Sequence, residues 1–159
     1  MFDVSCLAVQ AENLKIGYVN LGRVFDNYLK TKASDANLEK KGKQKEAELE
    51  GRMNELKQLR QSLELLSDDA RAAKSKEIED KAEELQRFRN NTARDLRRER
   101  DKIAKGILAE IQRNLQEFAK ANGFSVILDS QSLLYGQDAL DVTDEVLKLL
   151  NNRAQAPAR

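Results

Sequence analysis

The residues of this 159-residue chain best suited to chemistry are its carboxylates and its arginines. Paired Asp and Glu side chains can serve as general acid and base without histidine, provided their surroundings drive their pKa values apart. Here every carboxylate cluster lies in strongly charged helical sequence, so the clusters read as a solvated face rather than a catalytic pair. Histidine is absent, which removes the commonest metal ligand and neutral-pH proton carrier. The one cysteine, Cys6, cannot close an internal disulfide or build a thiolate metal cluster. No G-x-x-x-x-G-K-S/T loop occurs, so nothing provides for nucleotide hydrolysis. The chain reads as no enzyme, with no cofactor and no metal.

The arginines are more concentrated. Residues 87–105 hold Arg87, Arg89, Arg94, Arg97, Arg98, Arg100, Lys102 and Lys105 against Asp95, Glu99 and Asp101, a local excess of five positive charges. Such a patch can attract anionic partners. Nucleic acid is disfavoured, because 28 basic residues nearly cancel 27 acidic ones and no aromatic stacking residues accompany residues 94–102. The alternative is a solvated helix face with i,i+4 pairs, such as Glu99 with the cations around it.

What must position these residues is mostly helix. Charged residues make up 35% of the chain, aromatics 5%, Trp is missing and the single Pro is Pro157. The middle is built from Leu, Ala, Glu, Lys, Arg and Gln, which lose little rotamer freedom in a helix. Before it, residues 14–20 are rich in β-branched and aromatic types and predict a strand. Val24, Phe25, Tyr28 and Leu29 then recur at helical spacing. Leu49, Met53, Leu56, Leu59, Leu63 and Leu66 step by four and three, a narrow seam of the coiled-coil kind. One continuous helix from Gly22 to Leu66 would span roughly 65 Å.

Ser67, Asp68 and Asp69 break the pattern, and Ser67 or Asp68 can cap a new helix. Leu63, Leu66, Ser67, Asp68 and Asp69 would therefore form the tip of a hairpin. A second seam runs through Ile78, Ala82, Leu85, Phe88 or Thr92, Leu96, Ile103, Ile107, Ile111, Leu115 and Phe118. Asn122-Gly123 supplies a left-handed C-cap, with Phe124 folding back onto Phe118 or Ala119. Residues 124–129 and 132–135 predict two further strands. Thr143 is positioned to cap a last helix, with Val142 and Leu147 as its hydrophobic staple. Residues 152–159 read as a disordered tail.

The start is separate. Residues 4–9 are a short apolar run, and Val9-Gln10-Ala11 has the small residues of a cleavage site, but Asp3 stands where a basic or apolar residue is wanted. Residues 1–13 read either as a truncated or misannotated signal segment or as an N-terminal tail. No stretch reaches the ~18 apolar residues of a membrane span.

The expected fold is mainly α with a small β component. A long antiparallel coiled-coil hairpin, residues 22–123 with its turn near 67–69, emerges from a small β/α body formed by residues 14–21 and 124–151. Three short strands and one helix make too small a core to stand alone. Their apolar residues Ile16, Tyr18, Val19, Val126, Ile127, Leu128, Leu133 and Leu134 point to both faces. Self-association through this β end is the physical expectation; its stoichiometry does not follow.

The order strand, hairpin, strands, helix resembles the Skp/OmpH family. The residues that carry the likeness are Lys15-Ile16-Gly17-Tyr18-Val19-Asn20-Leu21-Gly22-Arg23-Val24-Phe25, Phe124-Ser125-Val126-Ile127-Leu128-Asp129, and the closing segment from Tyr135 through Asp141-Val142-Thr143-Asp144-Glu145-Val146-Leu147. The resemblance covers residues 14–151. It implies a homotrimer whose three arms enclose a jellyfish-like cavity, and an ATP-independent periplasmic holdase for unfolded outer-membrane β-barrel proteins. Some family members have a basic lipopolysaccharide-binding patch on the arm, and Arg97-Arg98 lies in the corresponding region, within a candidate patch of Arg94, Arg97, Arg98, Arg100 and Lys102. That patch would bind lipopolysaccharide or an anionic membrane surface, or attract clients. Family members are strongly basic, whereas this chain carries +1. A prefoldin-like subunit has its β elements between the long helices, an order this chain lacks. A purely structural coiled coil without holdase activity is the other alternative.

Overall fold

A computed structural model describes residues 14–156, which divide into two compact units: residues 14–29 with 108–156, and residues 30–107. The expectations for residues 1–13, the apolar run and Cys6 included, and for 157–159 lie outside the described residues.

The first unit is built on β1 (Ile16–Val19) and β2 (Val126–Asp129), paired in parallel with Ile16 opposite Val126 and Tyr18 opposite Leu128. Parallel partners cannot be joined by a tight turn, and here the connection is the whole helical stretch between them. Alternation along each strand splits the residues between two faces. Gly17 and Val19 turn inward and are buried, while Ile16, Val126 and Leu128 stay exposed. Gly17 is needed where it stands: a Cβ there would lie 2.9 Å from the Phe124 ring.

The expected third strand is absent. Ser130–Ser132 forms a 3-10 turn, and residues 133–135 are irregular, with Leu134 fully exposed. The edge of β1 that a third strand would use is taken by Asp141, which bridges Tyr18, and the Val142 N–H donates to the Tyr18 carbonyl at 2.9 Å.

The helix after β1 is not continuous. Helix α1 (Leu21–Asn27) is capped by the Asn20 side chain, which accepts from the Arg23 N–H, and it stops at Tyr28 (φ −69°, ψ 130°). Tyr28 is buried and its hydroxyl donates to Glu110 at 2.8 Å. Helix α2 (Leu29–Leu63) restarts at once, its Leu29 N–H donating to Asn151 Oδ1 at 2.9 Å. Burying a large side chain at Tyr28 and capping the restart together outweigh the hydrogen bonds lost at the break.

Helix α3 (Asp68–Ala121) ends as its sequence predicts. Gly123 has φ +69°, the Phe124 N–H donates to the Ala119 carbonyl at 2.9 Å, and the Gly123 N–H to Lys120 at 3.4 Å. This is the Schellman pattern, closed by the Phe118 and Phe124 rings stacked 5.9 Å apart. Lys15 Nζ donates to the Asn122 carbonyl and sits 4.2 Å from the Phe124 ring, which ties β1 to this terminus.

Helix α4 (Thr143–Gln155) runs into the expected tail. Its Arg153 reaches Asn114 and Glu117, both at 2.5 Å, and these contacts keep the last turn helical. The N-cap position falls on Val142 rather than Thr143. Thr143 is instead the first helical residue, its N–H donating to Asp141 Oδ1 and its hydroxyl both donating to Asp141 and accepting from the Asn20 N–H. The core of the unit gathers Val19, Val24, Tyr28, Ile111, Val142, Val146 and Leu150.

The second unit is an antiparallel helical hairpin. Lys41 pairs with Glu99, Arg52 with Glu84 and Lys81 with Glu55, so position falls on α3 as it rises on α2. The last turn before the bend tightens into i,i+3 bonds at Glu64, Leu65 and Leu66, and α3 opens with the Arg71 N–H on the Ser67 carbonyl. Leu56, Ile78 and Ile107 are buried in the seam, and Leu49, Leu59, Leu63, Leu85, Leu96 and Ile103 are half-buried. Met53, expected in the seam, is exposed. Arg52 takes that place, its guanidinium 4.3 Å from the Phe88 ring.

Candidate functional site

Two surfaces have features that folding alone does not require. The first is the outer face of the parallel pair. Ile16 is 45% exposed, Val126 43% and Leu128 40%. Opposed partners in register make these residues one apolar strip. Tyr18 stands half-buried on the same face, its ring packed on Gly136, where a Cβ would lie 2.6 Å from the ring. Leu134 and Tyr135 project into solvent. A strip of this kind on a two-stranded sheet is the usual mark of a surface that another chain covers.

The eight residues expected to build this body therefore separate. Ile16, Tyr18, Val126 and Leu128 share the outer face, whereas Val19 is buried in the unit's own core and Ile127 is half-buried on the inner side. Leu133 is half-buried and Leu134 exposed, both outside any strand. Tyr135 and the packing of Tyr18 on Gly136 were missed. The Gly136 that follows Tyr135 is the one signal that could have announced a close approach.

The second surface is the hairpin. Phe88, the one aromatic residue between positions 30 and 107, lies between cations, with Arg52 4.3 Å and Lys45 5.2 Å from its ring. Such contacts replace apolar packing with a quadrupole attraction. Glu48 accepts from both Lys45 at 2.8 Å and Arg52 at 2.9 Å. The hydrogen bond from Lys45, then that from Arg52, holds the Glu48 carboxyl below the usual carboxylate range. Lys81 does the same for Glu55, and its own pKa is raised in return.

On α3, Arg94, Arg98 and Lys102 follow at intervals of four along one exposed face, with Arg97 and Arg100 exposed to either side. The local i,i+4 pairing expected of Glu99 does not form, because Glu99 crosses the hairpin to Lys41. Arg94 donates to Asn91 Oδ1 at 2.8 Å and lies 3.9 Å from Asp95. Among the described residues Arg97, Arg98, Arg100 and Lys102 have no ion pair. At the bend, Leu63 and Leu66 are half-buried while Ser67, Asp68 and Asp69 are exposed. Open grooves bordered by charged side chains line the hairpin. No group of side chains that could hold a metal ion is present among the described residues.

A charged antiparallel hairpin inserted between two parallel strands that carry an open apolar face defines the class: a helical-arm protein built on a small β unit. Residues 15–150 match the outer membrane protein (OmpH-like) family, and the chain belongs to it. Two relatives named chaperone protein Skp are similar over most of their length. The one from Yersinia enterocolitica is 26% identical over 142 residues, 84% of each chain. The one from Pectobacterium atrosepticum is 28% identical over 145 residues, 89% of this chain and 87% of that one. Among solved structures, a protein of Caulobacter crescentus CB15 described as OmpH-like superposes with a TM-score of 0.82 at 23% identity, covering 93% of this chain and 90% of the other. At that identity the superposition establishes the shared fold.

Proposed function

We propose that this protein is an ATP-independent periplasmic holdase, a homotrimer that shields unfolded outer-membrane β-barrel proteins between its helical arms. The observation that carries the proposal is the apolar strip of Ile16, Val126 and Leu128 on a sheet of only two strands. Covering that strip requires another chain, and three copies closing on one another would bring three hairpins together around a shared space. Leu134 and Tyr135 extend the surface available for that contact.

Client capture then falls to the hairpins. Their grooves are shallow and mixed in character, which suits many weak contacts with a chain that has no fixed shape. A holdase of this kind needs neither nucleotide nor catalytic group; aggregation is prevented because exposed strand edges and apolar segments are kept apart. Arg94, Arg97, Arg98, Arg100 and Lys102 are the client-attracting patch, and the bend from Leu63 to Asp69 is the arm tip. Two named relatives called chaperone protein Skp support the assignment. Strands on both sides of the hairpin, and none within it, argue against a prefoldin-like subunit.

Native mass and client protection test the proposal together. The protein should run at three times 18.1 kDa and should suppress light scattering when a denatured outer-membrane barrel protein is diluted beside it. A monomer, or unchanged scattering, would sink the reading and leave a structural coiled coil.

A further inference from the structure

Charge along the hairpin is divided by position rather than mixed. Residues 30–45 carry six lysines against Asp35 and Glu39, and residues 85–107 carry eight cations against Asp95, Glu99 and Asp101. These two stretches face each other, as the Lys41 to Glu99 pair shows, and they form the open end of the hairpin with a surplus of nine positive charges. Residues 46–84, the end that contains the bend, carry seven cations against twelve carboxylates, a surplus of five negative charges. The sign changes at one level, where Lys45, Glu48, Arg52 and Glu84 surround Phe88.

At both ends some cations are engaged by carboxylates and others are not, with Lys41, Lys43 and Arg87 engaged toward the open end. The difference between the ends is therefore one of net charge. Near the bend, Arg52, Lys74 and Lys81 are each engaged by a carboxylate within 3.2 Å. Toward the open end, Arg97, Arg98, Arg100 and Lys102 have no ion pair among the described residues. At physiological ionic strength fields decay over about 8 Å. The two ends, each tens of ångströms long by helical rise, are therefore seen separately by a partner.

From this we infer that the open end of the hairpin is the docking surface for acidic polypeptide segments, and that the bend end excludes them. The inference takes its partner class, an unfolded polypeptide, from the holdase reading above and adds where on the arm it is held and what charge it carries. Polypeptide fits better than a membrane surface for two reasons. Arg98 and Arg100 lie about 200° apart around α3 by helical rotation, so the cations occupy more than one side of that helix, which a wrapping chain can follow and a plane cannot. An anionic plane laid along the hairpin would also meet the five surplus negative charges beyond residue 46 and be repelled.

The test places a photo-reactive side chain at exposed Ala93, toward the open end, or at exposed Ala73, toward the bend. The probes for the full chain are poly-L-glutamate, poly-L-lysine and phosphatidylglycerol vesicles. Ala93 should capture poly-L-glutamate about tenfold better than Ala73, and the excess should fall away at high salt. Joint replacement Arg97→Gln, Arg98→Gln, Arg100→Gln and Lys102→Gln, with native mass and helicity unchanged, lowers the open-end surplus from nine to five and should cut that excess severalfold. Equal capture at the two positions, capture of poly-L-lysine at Ala93, or co-sedimentation with vesicles without capture of poly-L-glutamate would overturn the inference. Scattering of a denatured barrel protein is followed in parallel. Suppression with uniform cross-linking refutes the inference and leaves the holdase reading; capture at Ala93 without suppression upholds the inference and removes that reading.

Discussion

The hydroxyl of Tyr28 donates to the Glu110 carboxylate at 2.8 Å, joining residues 82 positions apart just where the chain leaves and re-enters the β-containing unit. Burial first, and the hydrogen bond to Glu110 next, push the Tyr28 phenol well above its ordinary pKa. Tyr28→Phe should therefore cost about 1 kcal/mol and lower the melting temperature by a few degrees, followed by circular dichroism. A raised phenol stabilises the fold fully below the ordinary pKa of about 10 and loses that contribution as pH climbs above it. The native protein should accordingly weaken from about pH 10 upward, and the Phe variant should show less of that slope.

Gly136 and Gly17 stand against aromatic rings with no room for a methyl group. A Cβ would meet Tyr18 at 2.6 Å in one case and Phe124 at 2.9 Å in the other. Gly136→Ala and Gly17→Ala should each destabilise by about 1–3 kcal/mol, read from denaturant midpoints. Tyr18→Leu combined with Gly136→Ala should recover part of the loss, since the smaller side chain removes the ring that obstructs it.

Val126→Asp and Leu128→Asp place a carboxylate on the exposed strip, away from the unit's own core. If the strip holds the proposed trimer together, sedimentation should show its dissociation with helicity retained. An unchanged trimer would move the interface elsewhere, with Leu134 and Tyr135 the next residues to alter.

Acid should loosen the middle of the hairpin. Glu48, through Lys45 and Arg52, and Glu55, through Lys81, are held below the usual carboxylate range. Their pairs contribute above the ordinary carboxylate pKa of about 4.3 and are lost as pH falls through the folded value. Protection against hydrogen exchange around residues 48–55 and 81–88, corrected for the intrinsic slowing of exchange in acid, should fall as pH drops below about 4.3, and Glu48→Gln with Glu55→Gln should flatten that response.

Phe88→Ala removes the ring that Lys45 and Arg52 flank. The expected cost is about 1–2 kcal/mol, with Phe88→Leu keeping the volume but losing the cation contacts. Added salt should narrow the gap between native protein and the Leu variant, whereas purely apolar packing would leave it constant.

Much was legible in the residues themselves wherever the determinants are close in sequence. Asn122, Gly123 and Phe124 announced both the Schellman end of α3 and the ring contact with Phe118, since all lie within one turn of helix. The bend near Ser67 and the antiparallel hairpin likewise follow from the seam and its interruption. The exposed strip was anticipated as apolar, but its division from Val19 and Ile127 required the register of β1 on β2.

Elsewhere distant partners decided. Residues 132–135 have strand-forming side chains, yet Asp141 and Val142 occupy the edge of β1. Helical spacing runs unbroken through Tyr28, yet Glu110 and Asn151 break the helix there. Arg153 holds a tail in helix through Asn114 and Glu117. By itself the sequence determined a charged helical hairpin, its stops and the strands on either side, because seams, caps and turns are local properties of the chain. Only the tertiary structure decided which strands pair, where the helices break and which apolar residues remain open to a partner, because those choices depend on competition between groups far apart in the chain.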